Sequence, residues 1–246
     1  MEKYVIITGA SNGIGFSLAE KLSEYGFTVF NLDYAEPPLE TKVEWIYCDV
    51  RDMSSLESAR SRIIHQTTGT SELIALVNNA GVNHLEWFEK ITPGNYDKVM
   101  DTNVKGTFFT THVFLGLLAG WHSTVINIIS NAADKPMTCS SIYNASKGAV
   151  KILTKQLARE LTPLYEIPVI GISPNKILDT KMSEYVDDIV PVLRGWSPEE
   201  AHKYELANIP CRKNTPLEIF TDFVAHIIRL EKDNKYMSGN IIEYGV

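Results

Sequence analysis

Tyr143 and Lys147 lie four residues apart in the run Ser140-Ser141-Ile142-Tyr143-Asn144-Ala145-Ser146-Lys147-Gly148-Ala149. If the run opens a helix, the two side chains share one face, and the ammonium can lie beside the phenol. A free tyrosine titrates near pH ~10 and is a poor base at neutrality. A positive charge ~4 Å away, at an effective dielectric of ~20, favours the phenolate by up to ~4 kcal/mol, or roughly three pKa units. Such a tyrosine becomes a proton-transfer group. The bland alternative is a surface pair on an ordinary helix, so the rest of the chain must show whether there is a reaction to serve.

The segment Thr8-Gly9-Ala10-Ser11-Asn12-Gly13-Ile14-Gly15 supplies one. It follows a β-rich run and opens a helical one, and its glycines allow a tight turn with close backbone approach. The free N–H groups at the helix start favour a pyrophosphate. Eighteen residues after Gly15, Asp33 ends the second β-rich run, where a carboxylate accepts hydrogen bonds from an adenosine ribose. Its charge repels a 2′-phosphate, and neither Asn12 nor Tyr34 offers a compensating cation, so NAD is expected rather than NADP. Two further segments follow strands on the same rim. In Cys48-Asp49-Val50, Asp49 can accept from the adenine amino group; in Asn78-Asn79-Ala80-Gly81, small residues let the ribose lie against the backbone. Hydrogen bonds from Asn78 and Asn79 that merely stabilise the loop are compatible with that role.

The elements that position these residues alternate along the chain. Strands are expected at Tyr4–Thr8, Thr28–Leu32, Val43–Cys48, Leu73–Val77, Thr124–Ile129, Pro168–Ile172 and Asn240–Glu243. Helices are expected at Ile14–Tyr25, Ser54–Gln66, Tyr96–Leu118, Ser141–Leu161 and Leu217–Leu230. This alternation implies right-handed crossovers and a doubly wound parallel sheet in three layers, an α/β fold of Rossmann-like type. Ligands bind such sheets at the carboxyl ends of the strands. The 246 residues, 44% apolar, fit a single domain over 1–246. One stretch, 179–210, loses strand periodicity and carries Met182, Tyr185, Val186, Ile189, Val190, Leu193 and Trp196 among polar residues. It reads as a helical excursion beside the site, either a substrate lid or a permanent part of the body.

Composition excludes several functions. A formal net charge of -7 offers no footprint for nucleic acid or an anionic membrane surface. The chain enters a strand at once, without the layout of a secretory signal, and no apolar run reaches the ~20 residues of a membrane span. A cytoplasmic location is expected. Cys48, Cys139 and Cys211 are too far apart for a disulfide framework or a metal knuckle, and the six histidines show no ligand spacing, so no metal is expected.

Taken together, the sequence resembles the short-chain dehydrogenase/reductase family over essentially its whole length. The resemblance rests on the TGxxxGxG turn from Thr8 to Gly15, Asp33, Asp49, the NNAG loop from Asn78 to Gly81, Asn103 in Met100-Asp101-Thr102-Asn103-Val104-Lys105-Gly106, Ser130, and YxxxK at Tyr143 and Lys147. It implies that Tyr143 is the general acid/base, that Lys147 lowers its pKa and binds the nicotinamide ribose, and that Ser130 holds the substrate oxygen. Asn103 would help position a water linking Lys147 to solvent. The cofactor contacts implied are Gly9, Ser11, Asn12, Gly13, Ile14, Gly15, Asp33, Asp49, Val50, Asn79, Ala80, Gly81, Tyr143 and Lys147, with Ile177 and Thr180 at the nicotinamide.

The chain departs from the family pattern twice. In Ser173-Pro174-Asn175-Lys176-Ile177-Leu178-Asp179-Thr180, Asn175 replaces a usual glycine and Thr180 comes one residue late, so an unusual loop path is expected. The tail from Tyr236 to Val246 lacks the common Asp-Gly-Gly ending, at a segment that packs between subunits in relatives; a homotetramer is expected, with a dimer as the alternative. Asn83, His84, Trp87, Ala132, Lys135, Met137, Cys139, Asn175, Met182 and Tyr185 are expected near the substrate, a secondary alcohol or ketone, cyclic or open. Two other functions fit the same motifs: an idle dinucleotide-binding sensor, and an isomerase or lyase that retains its cofactor.

Overall fold

The computed structural model describes residues 2–67, 69, 71–207 and 209–245; Asn208, inside the expected excursion, and Val246 of the tail lie outside them. Seven strands, β1 (Lys3–Thr8), β2 (Thr28–Asp33), β3 (Glu44–Tyr47), β4 (Glu72–Asn78), β5 (Thr124–Ile128), β6 (Val169–Pro174) and β7 (Ile241–Tyr244), form one sheet in the order β3-β2-β1-β4-β5-β6-β7. Every pairing is parallel.

A parallel sheet needs cover on both faces, and its strands are accordingly apolar almost throughout. Successive residues of β1 point to opposite sides. Val5 and Ile7 pack toward α1 (Gly13–Glu24) and α8 (Leu217–Arg229) through Leu18, Leu22, Phe220 and Val224. Tyr4 and Ile6 face α2 (Met53–Gln66), α4 (Gly106–Trp121) and α5 (Ser141–Tyr165) through Leu56, Ile63, Phe114 and Leu161. The result is the three-layer, doubly wound α/β fold expected. No helix among the described residues is long and apolar enough to cross a membrane.

Strand order reverses at β1, which pairs with β2 on one side and β4 on the other. The chain leaves the two neighbouring carboxyl ends in opposite directions there and opens a crevice. A Cβ added to Gly9, whose φ is +67°, would lie 2.8 Å from the Ala80 Cα, so the loops after β1 and β4 touch through backbone.

The expected helix Tyr96–Leu118 is instead α3 (Pro93–Met100), a π-turn at Asp101–Lys105, and α4. It starts early because Thr92 caps it, accepting from the Asn95 N–H at 3.2 Å, and Pro93 occupies the first turn. The π-turn closes with the Gly106 N–H donating to the Asp101 carbonyl, five residues back. The excursion is α6 (Lys181–Arg194) followed by α7 (Pro198–Ala207).

Candidate active site

One cavity of about 560 Å³ runs along the carboxyl ends of the strands. Its wall includes Gly9, Asn12, Gly13, Ile14, Asp33, Asp49, Val50, Asn79, Ala80, Gly81, Ser130, Tyr143, Lys147, Ile177 and Thr180. Three expected site residues, Ser11, Gly15 and Asn103, stand behind it. The Ser11 hydroxyl donates to the Ala35 carbonyl at 2.5 Å and accepts from Asn31. Gly15 lies under the turn, where an added Cβ would meet the Gly9 carbonyl oxygen at 2.4 Å.

The glycine turn is held by groups below it. Asn31 accepts from the Ala10 N–H, Asp33 accepts from the Ser11 and Ala35 N–H groups at 3.0 Å each, and Asn79 donates to the Thr8 and Gly9 carbonyls. No side chain caps α1, so its first amides remain for another acceptor, as a pyrophosphate requires. The cradle therefore fits a dinucleotide: its backbone approaches closely, its anion end is uncapped, and Asp33 keeps acceptor capacity beyond its two backbone bonds.

Asp49 is less free than the sequence suggests. Arg51 grips it with a fork, Nε to Oδ1 at 2.9 Å and Nη2 to Oδ2 at 2.6 Å, holding the carboxyl below its ordinary range. Arg51 also lines the cavity. It is the cation the sequence reading overlooked, although its spacing two residues after Asp49 was visible.

The Tyr143–Lys147 geometry corrects the opening expectation. Both side chains are buried, at 7% and 5% exposure, so the surface-pair alternative fails. The Lys147 Nζ, however, donates to the Ile128 carbonyl at 2.9 Å and sits 5.8 Å from the Tyr143 ring centroid. Burial pushes the Tyr143 phenol up to about 12 against the smaller opposing effect of a hydrogen bond with Ser130, and brings Lys147 down to about 8. In the chain by itself, desolvation outweighs any help from the lysine.

Asn103 sits in the π-turn, and its side chain is fully spent. Oδ1 accepts from the Val82 N–H at 2.8 Å, while Nδ2 donates to the Val82 carbonyl and the Ser146 hydroxyl. It ties the loop after β4 to α5 one residue from Lys147. A Cβ on Gly81 would lie 3.4 Å from the Asn103 Oδ1 and 3.5 Å from the Lys147 Nζ, in contact with both side chains.

The loop after β6 is held through Asn175. Asn175 is 4% exposed, its side-chain oxygen accepts from the Thr215 hydroxyl at 2.6 Å, and its backbone N–H donates to the Tyr244 carbonyl. Its backbone N–H ties the loop to the tail and its side chain ties it to Thr215, although the residue borders the cavity. Thr180 caps α6: its hydroxyl accepts from the Ser183 N–H and donates to the Ile177 carbonyl.

Of the expected substrate-facing residues, Asn83, Lys135, Met137, Asn175 and Met182 line the cavity. His84, Trp87, Ala132, Cys139 and Tyr185 do not. His84 pairs with Asn95, Trp87 donates to the Leu193 carbonyl, the Ala132 carbonyl accepts from Asn144, the Cys139 carbonyl accepts from the Glu86 N–H, and the Tyr185 hydroxyl accepts from the Leu85 N–H. These groups hold loops and the excursion together. Lys176, Val186, Tyr204, Glu205, Ile209 and Asn214 line the cavity without having been anticipated. Only the apolar face of α6 was legible, through Val186 one turn beyond Met182.

The sequence pattern described as short chain dehydrogenase matches residues 3–189. The chain belongs to the short-chain dehydrogenase family. Among its relatives within that family, an L-xylulose reductase of Bos taurus is 27% identical over 231 residues, covering 91% of this chain and 87% of its own. An NAD-dependent glycerol dehydrogenase of Listeria innocua is 29% identical over 215 residues, covering 81% and 83%. A variant of actinorhodin polyketide ketoreductase, solved with NADPH, superposes with a TM-score of 0.87 at 25% identity, over 99% of this chain and 96% of its own. As a member of this family the protein is an oxidoreductase that binds a nicotinamide dinucleotide, and it is similar to enzymes that act on keto and alcohol groups.

Proposed function

We propose that this short-chain dehydrogenase is an NAD(H)-dependent enzyme interconverting a secondary alcohol, cyclic or open, and a ketone. The observation that carries the reading is the meeting of Tyr143 and Ser130 with the glycine turn and Asp33 in one cavity. The cofactor, held by the turn, Asp33, Asp49, Val50, Asn79 to Gly81, Lys147, Ile177 and Thr180, supplies the hydride. Ser11 and Gly15 shape the turn from below, and Asn103 positions the floor.

Tyr143 then moves the proton. With its phenol raised to about 12 it is protonated at neutral pH, ready to donate to a ketone oxygen while Ser130 holds that oxygen. Alcohol oxidation requires Tyr143 to give up its proton first, so the oxidative rate climbs with pH over a range where the reductive rate is flat.

Asp33 supports NAD. NADP is the second reading, favoured by Arg51 at the cavity wall with a side chain 46% exposed, able to exchange Asp49 for a 2′-phosphate. Fluorescence titration decides between them: tighter binding of NADPH than NADH, lost in Arg51→Ala, would select the second. The sensor and the isomerase or lyase readings each predict no net change in NADH. Following NADH absorbance across a panel of ketones, alcohols and cyclic diols tests the reading, and silence with all of them would overturn it.

Three free cysteines and an acidic chain support a cytoplasmic enzyme. Exposed Phe108 on α4 and Ile152, Leu164 and Tyr165 on α5 support self-association, as a homotetramer or, in the alternative, a dimer, decided by light scattering.

A further inference from the structure

The Tyr143 hydroxyl has few polar neighbours: Ser130, and the Met182 Sδ at 3.9 Å. A thioether is a weak acceptor, whereas a carbonyl oxygen takes a hydroxyl proton at about 2.7 Å. A ketone that accepts from both Tyr143 and Ser130 therefore competes with Met182 for the space in front of the phenol. We propose that Met182 determines specificity at this site: its side chain yields to the arriving ketone oxygen and then packs against the substituent beside the reacting carbon, which must be apolar. The proposal rests on the oxidoreductase reading above.

Two features place this adjustment on the side chain rather than on the helix. Met182 is the second residue of α6, and the first turn of α6 is fixed by the reciprocal Thr180 and Ser183 bonds. Thr180 in turn lies against the glycine turn, 3.7 Å from where a Gly13 Cβ would be. Methionine, unbranched and with a polarisable sulfur, can repack within a fixed backbone. The surroundings set the chemistry of the substituent. Val186 follows one turn later on α6, and Pro136 and Met137 line the cavity from the loop after β5. Among the charged groups of the wall, Lys176 pairs with Asp187 and Glu205, Asn214 donates to Glu205 as well, and Lys135 stands beside Pro136. A hydrocarbon group meets its like at Val186, Pro136 and Met137.

The test compares kcat/KM for cyclohexanone with that for menthone, which carries an isopropyl group beside its carbonyl. Met182→Ala should raise the menthone to cyclohexanone ratio about tenfold or more, because pocket volume beside the reacting centre sets such ratios. Met182→Leu, which keeps the bulk and removes the sulfur, should stay within about threefold of the parent, as volume-conserving exchanges do. Water reaching the phenol in Met182→Ala should also move the alkaline limb of reduction to lower pH, and Met182→Leu should not. If Met182→Ala fails to fold, Met182→Cys is read by the same ratio. An unchanged ratio with turnover intact, or a leucine variant matching alanine, overturns the proposal while leaving the oxidoreductase reading in place. No oxidation of NADH or NADPH with any ketone in the parent removes both.

Discussion

The loops after β1 and β4 and the helical excursion α6–α7 border the same cavity but are held by different means. The cradle is fixed from beneath by buried bonds to its backbone: Thr8 accepts from the Asn79 and Ala80 N–H groups, Asn79 donates to two carbonyls, and Asn31 and Asp33 hold Ala10 and Ser11. The excursion is fixed from its edges. Among the described residues α6 buries only Ser183 and α7 buries none, and the pair is tethered by Lys176 to Asp187 and Glu205, Trp87 to the Leu193 carbonyl and Arg194 to the Thr138 carbonyl. Segments with few buried apolar contacts open locally at low cost. One side of the cavity is therefore preorganised, and the other is a cover attached by a few polar side chains.

The sharpest division between the two comes from Tyr143→Phe, expected to cost ~10²- to 10⁴-fold in turnover while NADH affinity holds, since only proton transfer is lost. Normal turnover would remove Tyr143 from the mechanism. The next effect is on stability. Lys147 titrates near 8 when folded against 10.5 unfolded, so the unfolded chain binds more protons between those values and stability rises with pH across that window. The burial penalty applies in full below pH 8, at most about 3 kcal/mol for a shift of this size. Lys147→Met should accordingly lose its stability relative to the parent as the pH of urea unfolding is raised from about 7 to about 10; parallel curves would contradict the buried charge. A smaller loss is expected for Gly15→Ala, about 2 kcal/mol, because its Cβ would press on the Gly9 carbonyl and the Asn79 amide. Its NADH affinity should fall with it, and an unaltered melting temperature would show that the cradle is softer than described. Smallest is Lys176→Met, about 1 kcal/mol for a partly exposed pair. It should speed proteolysis within 181–207 and raise KM for the ketone without weakening NADH. Equal cleavage in parent and variant would make the excursion part of the rigid body.

Local patterns carried much of this into the sequence. The strands, the glycine turn and Asp33 are written in short-range alternation and spacing, and they lie where expected. What was illegible depends on packing. Nothing in the Tyr143–Lys147 spacing reveals that both side chains are buried, and burial reverses the direction of the tyrosine's pKa. The spacing of Trp87 and Tyr185 fits a substrate pocket as well as it fits tethers, and only the position of α6 decides. Thr180 and Ser183, three residues apart ahead of an apolar helical run, carry a capping pattern as well as the spacing of a nicotinamide contact.

The π-turn at Asp101–Lys105 sets the rotational phase between two helices. Each α-helical residue turns the chain by about 100°, so one extra residue in that turn rotates all of α4 by about that much relative to α3. With this offset in place, Val113, Phe114 and Leu118 pack into the core on that side of the sheet. Asn103, within the turn, reaches Val82 and Ser146 at the same time. Deleting one residue there would turn α4 by about 100° and exchange the side chains it presents to the sheet, so the irregular turn fixes which residues enter the core as well as where Asn103 sits.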